Sequence, residues 1–126
     1  MAVAVQIEES VALEVSKAAA AIFARSGDLV AEIPVGRILE HATGEMLTVR
    51  AVVVADARHV EVIADGDFDA VRSCVHQLVA DGWSVTVLVE LPASGEAHGE
   101  LRRTGCLIQP WWVVDESIVF GRVETP

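Results

Sequence analysis

Positive charge is scarce in this chain. Of 126 residues, nine are Lys or Arg and nineteen are Asp or Glu, for a formal net charge of −10. Non-specific nucleic-acid binding rests on cations that neutralise phosphates, so generic DNA or RNA binding is disfavoured. Arg102–Arg103 is a local exception that reads as a solvated helix face. Cysteine is limited to Cys74 and Cys106. No Cys-x-x-Cys or Cys/His spacing supports a zinc site. Cys74 falls in an apolar helical stripe and Cys106 opens an apolar strand, so both read as small buried thiols. Long hydrophobic runs are missing too. A stretch such as "AVVVA" is far too short to span a bilayer. The opening "MAVAVQIEES" lacks a basic n-region, so no signal peptide is read and a cytoplasmic setting is the expectation. Seven serines include no Gly-x-Ser-x-Gly elbow. No glycine-rich loop ends in Gly-Lys-Ser/Thr, which excludes that phosphate cradle. His41, His59, His76 and His98 share no ligand spacing and read as surface or partly buried histidines.

What is present is a globular composition, 52% hydrophobic and 22% charged. The length suits one domain over residues 1–126 with a core of its own. "AVAVQI" (2–7) reads as a strand. Val11, Val15, Ala18 and Ile22 follow helical spacing within a helix over 9–26. "AEIP" reads as a short strand closed by Pro34, and "VGRILEHAT" as a short helix. "LTVRAVVVA" (47–55) and "HVEVIA" (59–64) are β-branched runs of the kind that interior strands carry. Only Ala57 and Arg58 separate Asp56 from the second run, too short a link for a parallel crossover. The two runs therefore form a hairpin, or 47–64 is organised in another way.

The helix over 68–81 carries Val71, Cys74, Val75, Leu78 and Val79 on one face, and "DG" at 81–82 ends it. "SVTVLVE" (84–90) is a strand. A helix over about 96–104 is expected, capped by Ser94 and closed by Gly105. "CLIQPWW" and "SIVFGRV" form a hairpin turning at "DE" (115–116). Strand–helix–strand–helix–strand order from residue 59 packs as a parallel sheet with crossovers. The expected fold is α/β: a mostly parallel sheet with flanking helices and a C-terminal β-hairpin, of Rossmannoid kind.

The segment "VIADGDFD" crowds Asp65, Asp67 and Asp69 where a strand meets a helix. One Asp suffices to cap free N–H groups, for about 1 kcal/mol, and to meet the helix dipole. Three neighbouring carboxylates repel, by up to ~4 kcal/mol a pair at an effective dielectric near 20. A hard cation such as Mg²⁺ offsets that crowding, and so does solvent when the side chains splay. The EF-hand pattern fails, because Ala70 stands where Gly is required and no Glu closes the loop. The strand followed by Asp-x-Asp resembles the haloacid-dehalogenase type of phosphatase only over "VIADGD", with Asp69 in place of the expected Thr or Val.

"ADGDFDAVRSCVHQLVADGWSVTVLVELPASGEAHGELRR" (64–103) resembles the NYN branch of the PIN-like nuclease families. The matching elements are Asp65, Gly66, Asp67 and Phe68, then Gly82, Val85 and Val87, then Ser94 and Leu101. The resemblance implies metal-dependent RNA cleavage, with Asp65 and Asp67 as ligands of Mg²⁺ or Mn²⁺ and Asp56 as a third. In those families the first strand ends in Asp with Asn shortly after. Here the stretch is "VQIEES", so Glu8 or Glu9 stands in, and the chain contains no Asn. The element order is also similar to the phospholipase-D-like half domain, whose His-x-Lys dyad is absent. That likeness implies binding or dimerisation.

Trp83, Trp111 and Trp112 are half of the six aromatic residues. Neighbours on a strand face opposite sides, so one of Trp111 and Trp112 fills the core. The other lies in the core of a second face, at a subunit interface, or in a ligand pocket. Pro110 sits badly in a central strand, which makes this strand an expected edge. The leading expectation is a non-catalytic ligand- or partner-binding module, forming a homodimer at Trp111 and Trp112. A metal-dependent nuclease or phosphohydrolase using Asp65 and Asp67 is the alternative.

Overall fold

In the computed structural model of the protein the described residues are 14, 15, 17–19, 21, 30–34, 50–54, 58–64 and 68–126. In chain order they form β1 (Val30–Pro34), β2 (Arg50–Val54), β3 (His59–Ile63), α1 (Phe68–Ala80) and β4 (Ser84–Glu90). A 3₁₀ turn (Leu91–Ala93), α2 (Ser94–Glu100), β5 (Leu107–Val114) and β6 (Ser117–Phe120) follow. Residues 14, 15, 17–19 and 21 are helical, within the helix expected over 9–26. The strand expected at 2–7 and the helix expected at 35–43 lie outside the described residues.

The strands form one mixed sheet in the order β1-β2-β3-β4-β5-β6. β3, β4 and β5 are the parallel block that the strand–helix alternation calls for. The other three pairings are antiparallel. Val54 faces His59 across the β2–β3 ladder, so the short link through Arg58 makes a hairpin, the first of the two arrangements left open by its length. A doubly wound sheet reverses its strand order at a switch point, where ligands bind. The sequential order here has no reversal among the described strands.

α1 forms because Phe68, Val71, Cys74, Val75 and Leu78 recur at helical spacing and are all buried. Its end is a Schellman motif. Gly82 N–H donates to the Val79 carbonyl at 3.0 Å and Trp83 N–H to the Leu78 carbonyl at 2.9 Å. Gly82 takes the left-handed φ of 88° that this closure needs. α2 differs from expectation. It runs Ser94–Glu100, its N-cap is Ala93, and no side chain caps it. The 3₁₀ turn with Pro92 runs straight into the helix, so Ser94 is already its first residue and its hydroxyl has no cap position to fill.

Strand alternation splits the core in two. Val60, Val62, Val85, Val87, Val89 and Ile108 point to the face that α1 and α2 cover, so both helices lie on one side. Ile63, Leu88 and Trp111 point to the other face, where they meet Val15 and Ala19 of the N-terminal helical residues. Leu78 and Leu101 are fully buried on the helix side; each is worth roughly 1.5–3 kcal/mol on leaving water.

β5 is not the edge strand that Pro110 predicts. It lies between β4 and β6, with Val89 opposite Pro110 on one side. Two features make the proline tolerable. Gly121 N–H donates to the Pro110 carbonyl at 2.7 Å, and the Gly121 carbonyl, which Pro110 cannot serve, accepts from the Gln109 side-chain amide at 3.0 Å. The ladder then slips. Ile108 pairs with Glu124, so Arg122 and Val123 together oppose Gln109 as a β-bulge. Proline is accepted in a sheet at such a break.

Candidate functional site

Asp56, Asp65 and Asp67, the residues that a metal site would use, lie outside the described residues. Asp69 is described and is exposed in the first turn of α1. Its Oδ1 accepts from Arg72 Nη1 at 3.1 Å. Arg72 also donates through Nε to the Glu100 carbonyl at 2.9 Å and pairs with the Glu100 carboxylate, tying α1 to the end of α2. Asp69 thus serves the start of the helix and an ion-pair chain. Among the described residues no three His, Cys, Asp or Glu side chains gather closely enough to hold a metal ion.

A buried polar stripe crosses the second sheet face. Glu61 and Thr86 are neighbours in register on β3 and β4, and both are buried. His59 Nε2 lies 3.6 Å from Glu61 Oε2. Glu61 Oε2 and Trp111 Nε1 are the two buried side-chain atoms left without a hydrogen bond among the described residues. They do not converge. The Glu61 row crosses β5 at Leu107, four residues from Trp111, or about 13 Å along a strand.

Both cysteines are free and buried. Burial pushes the Cys74 thiol up to about 12. Burial also raises Cys106, against the opposing pull of its contact with the Thr104 hydroxyl at 3.1 Å. A nucleophilic thiol needs the opposite environment. His98 lies 3.7 Å from Glu124 and holds the chain end near α2. Arg58 is another tie. Its guanidinium lies 4.9 Å from the Trp83 ring centroid and donates to the Asp81 carbonyl at 2.6 Å, clasping the β2–β3 link to the end of α1. Only the fold brings these pairs together, since each is distant in sequence and neither residue type is unusual on a surface.

The C-terminal hairpin is where apolar surface meets solvent. Its two-residue turn has Asp115 and Glu116 both at positive φ, 47° and 65°, the form that matches strand twist. Of the two tryptophans expected at an interface, Trp111 is 2% exposed and belongs to the core. Its place opposite Phe120, under the N-terminal helical residues, leaves it no surface to offer. Trp112 is half-buried on the other face. Beside it Val113 and Val114 are 54% and 47% exposed. Among the described strands β6 ends the sheet, and its residues Ser117, Ile118, Val119 and Phe120 include no charge and no proline. Edge strands are commonly protected by such residues. The opposite edge, β1, has Glu32 and Pro34 in its sequence.

No family model, no curated protein and no solved structure matches this chain. Among the described residues, no helix is long and apolar enough to cross a membrane.

Proposed function

We propose that this chain is a non-catalytic, self-associating α/β module of cytoplasmic setting, and that its binding element is the C-terminal hairpin. The single observation that carries this reading is β6, an uncharged, largely apolar strand at the end of the described sheet with solvent-exposed valines beside it. An edge strand presents a row of backbone donors and acceptors for another strand to pair with. The finer reading of the frame is PIN-like. It draws support from the order of elements over 64–103. Phe68 starts α1, Gly82 closes it, Val85 and Val87 lie in β4, and Ser94 opens α2.

Sedimentation velocity from low to high micromolar concentration tests the reading. A mass that moves from monomer toward dimer is expected, and a strict monomer throughout removes the proposal. A parallel titration with Mg²⁺ and Mn²⁺ is expected to leave the melting temperature unchanged. A rise that Asp67→Asn abolishes would replace this reading with the metal-dependent nuclease or phosphohydrolase.

A further inference from the structure

The hairpin specifies more than an exposed strand, and this inference rests on the self-association reading. Antiparallel strands alternate between pairs that exchange hydrogen bonds and pairs that do not. Gly121 donates to Pro110, so the Pro110–Gly121 pair is of the bonded kind. Counting along the register, Trp112–Val119 and Val114–Ser117 are bonded, while Trp111–Phe120 and Val113–Ile118 are not. The N–H and C=O groups of Ile118 and Phe120 therefore point away from β5, to the side where no described strand pairs with β6.

We infer that two copies of this chain join through antiparallel β6–β6 pairing with Ile118 of each opposite Phe120 of the other. Three properties select this register. It uses both outward-facing residues of each strand, so each of the two bonded pairs exchanges two N–H···O bonds. Centring the pair on Ile118 would instead bring Phe120 against Glu116, in the turn with φ 65°. Centring it on Phe120 would bring Ile118 against Arg122, in the bulge. The chosen register sets Val119 against its own copy at the two-fold axis, with a half-buried Trp112 beside each. It also places Glu116 opposite Arg122 twice over, both exposed. Charge complementarity thus flanks an apolar centre, and a chain of net charge −10 meets itself at one of its few cations.

Val119→Cys is the direct probe. A non-bonded antiparallel pair brings Cα atoms to about 4.5 Å, within disulfide reach. The native thiols, Cys74 and Cys106, are buried and do not compete. Mild oxidation is expected to give a covalent dimer for Val119→Cys and none for Val113→Cys, which lies one strand in from the edge. Charge reversal is the independent arm. Glu116→Arg and Arg122→Glu are each expected to weaken dimerisation by about three- to ten-fold, and the double variant to restore it. If the wild type dimerises but Val119→Cys gives no covalent dimer and the charge reversals leave dimerisation unchanged, this register is overturned, while self-association stands through another surface. A wild-type monomer overturns both.

Discussion

The side-chain amide of Gln109 donates to the carbonyl of Gly121 at 3.0 Å, in the place where Pro110 has no N–H to give. One residue thus covers for its neighbour, and β6 stays in register on an interior strand that contains a proline. The substitution Gln109→Leu should leave the Gly121 carbonyl unpaired and cost about 1 kcal/mol in urea unfolding. In a Pro110→Ala background the backbone N–H restored at that position can take over, and the cost of Gln109→Leu should shrink. Equal costs in both backgrounds would mean that the amide does not compensate for the proline.

Gly121 is required by contact. A Cβ there would stand 2.9 Å from Pro110 Cγ and 2.9 Å from the Trp112 ring. Gly121→Ala is expected to cost about 1–3 kcal/mol through overpacking and to shift the Trp112 fluorescence. An unchanged urea midpoint would show that the proline and indole rings move aside freely.

Trp111 and Trp112 should separate cleanly on truncation. Trp111→Ala removes a buried ring and is expected to cost about 3–5 kcal/mol. Trp112→Ala, from a half-buried position, should cost clearly less. Trp111→Phe should be mild for so buried a site, because the indole N–H it removes has no partner among the described residues. Chemical denaturation of the three variants gives the order. Trp112→Ala as the most damaging would contradict the packing described.

Cys74 sets an alkaline limit. Burial raises its thiol from 9.0 to about 12. Between those values the unfolded chain gives up the proton and the folded chain keeps it, so the folded state binds more protons and stability falls as pH rises. The stabilisation is fully present below about 9 and falls by up to ~1.4 kcal/mol per pH unit above it. Phenol titration cannot confuse the window, since the chain has no tyrosine. Urea midpoints at pH about 8 and about 10.5 should differ for the wild type and differ less for Cys74→Ala. An equal loss in both would exclude the thiol.

Gly82 holds the left-handed closure of α1 at φ 88°, with nothing nearer than 3.8 Å to a Cβ there. Gly82→Ala should therefore cost about 1 kcal/mol or more through backbone strain alone. A neutral result in thermal unfolding would mean that the Schellman turn has an alternative form.

Much of this architecture can be read residue by residue. The spacing of Val71, Cys74, Val75 and Leu78 encodes α1, and Asp81–Gly82 encodes its end. The β-branched runs encode β3 and β4, and Asp115–Glu116 the final turn. These signals are local, because periodicity and turn chemistry act within a few residues. Other features escaped a linear reading. Ser94 has cap chemistry, yet the 3₁₀ turn before it occupies the cap position. Pro110 has edge chemistry, yet Gln109 and a bulge accommodate it inside. The carboxylates Asp56, Asp65 and Asp67 stand out in the sequence, but they lie outside the described residues.

Composition and periodicity alone thus set the α/β class, the parallel block from β3 to β5 and the closing hairpin, since each follows from which neighbouring residues seek or avoid water. Strand order, the burial of Trp111 rather than Trp112, and the outward aim of Ile118 and Phe120 were decided only by tertiary structure. Those outcomes depend on hydrogen-bond register and packing between segments far apart in the chain, and no short stretch of residues encodes them.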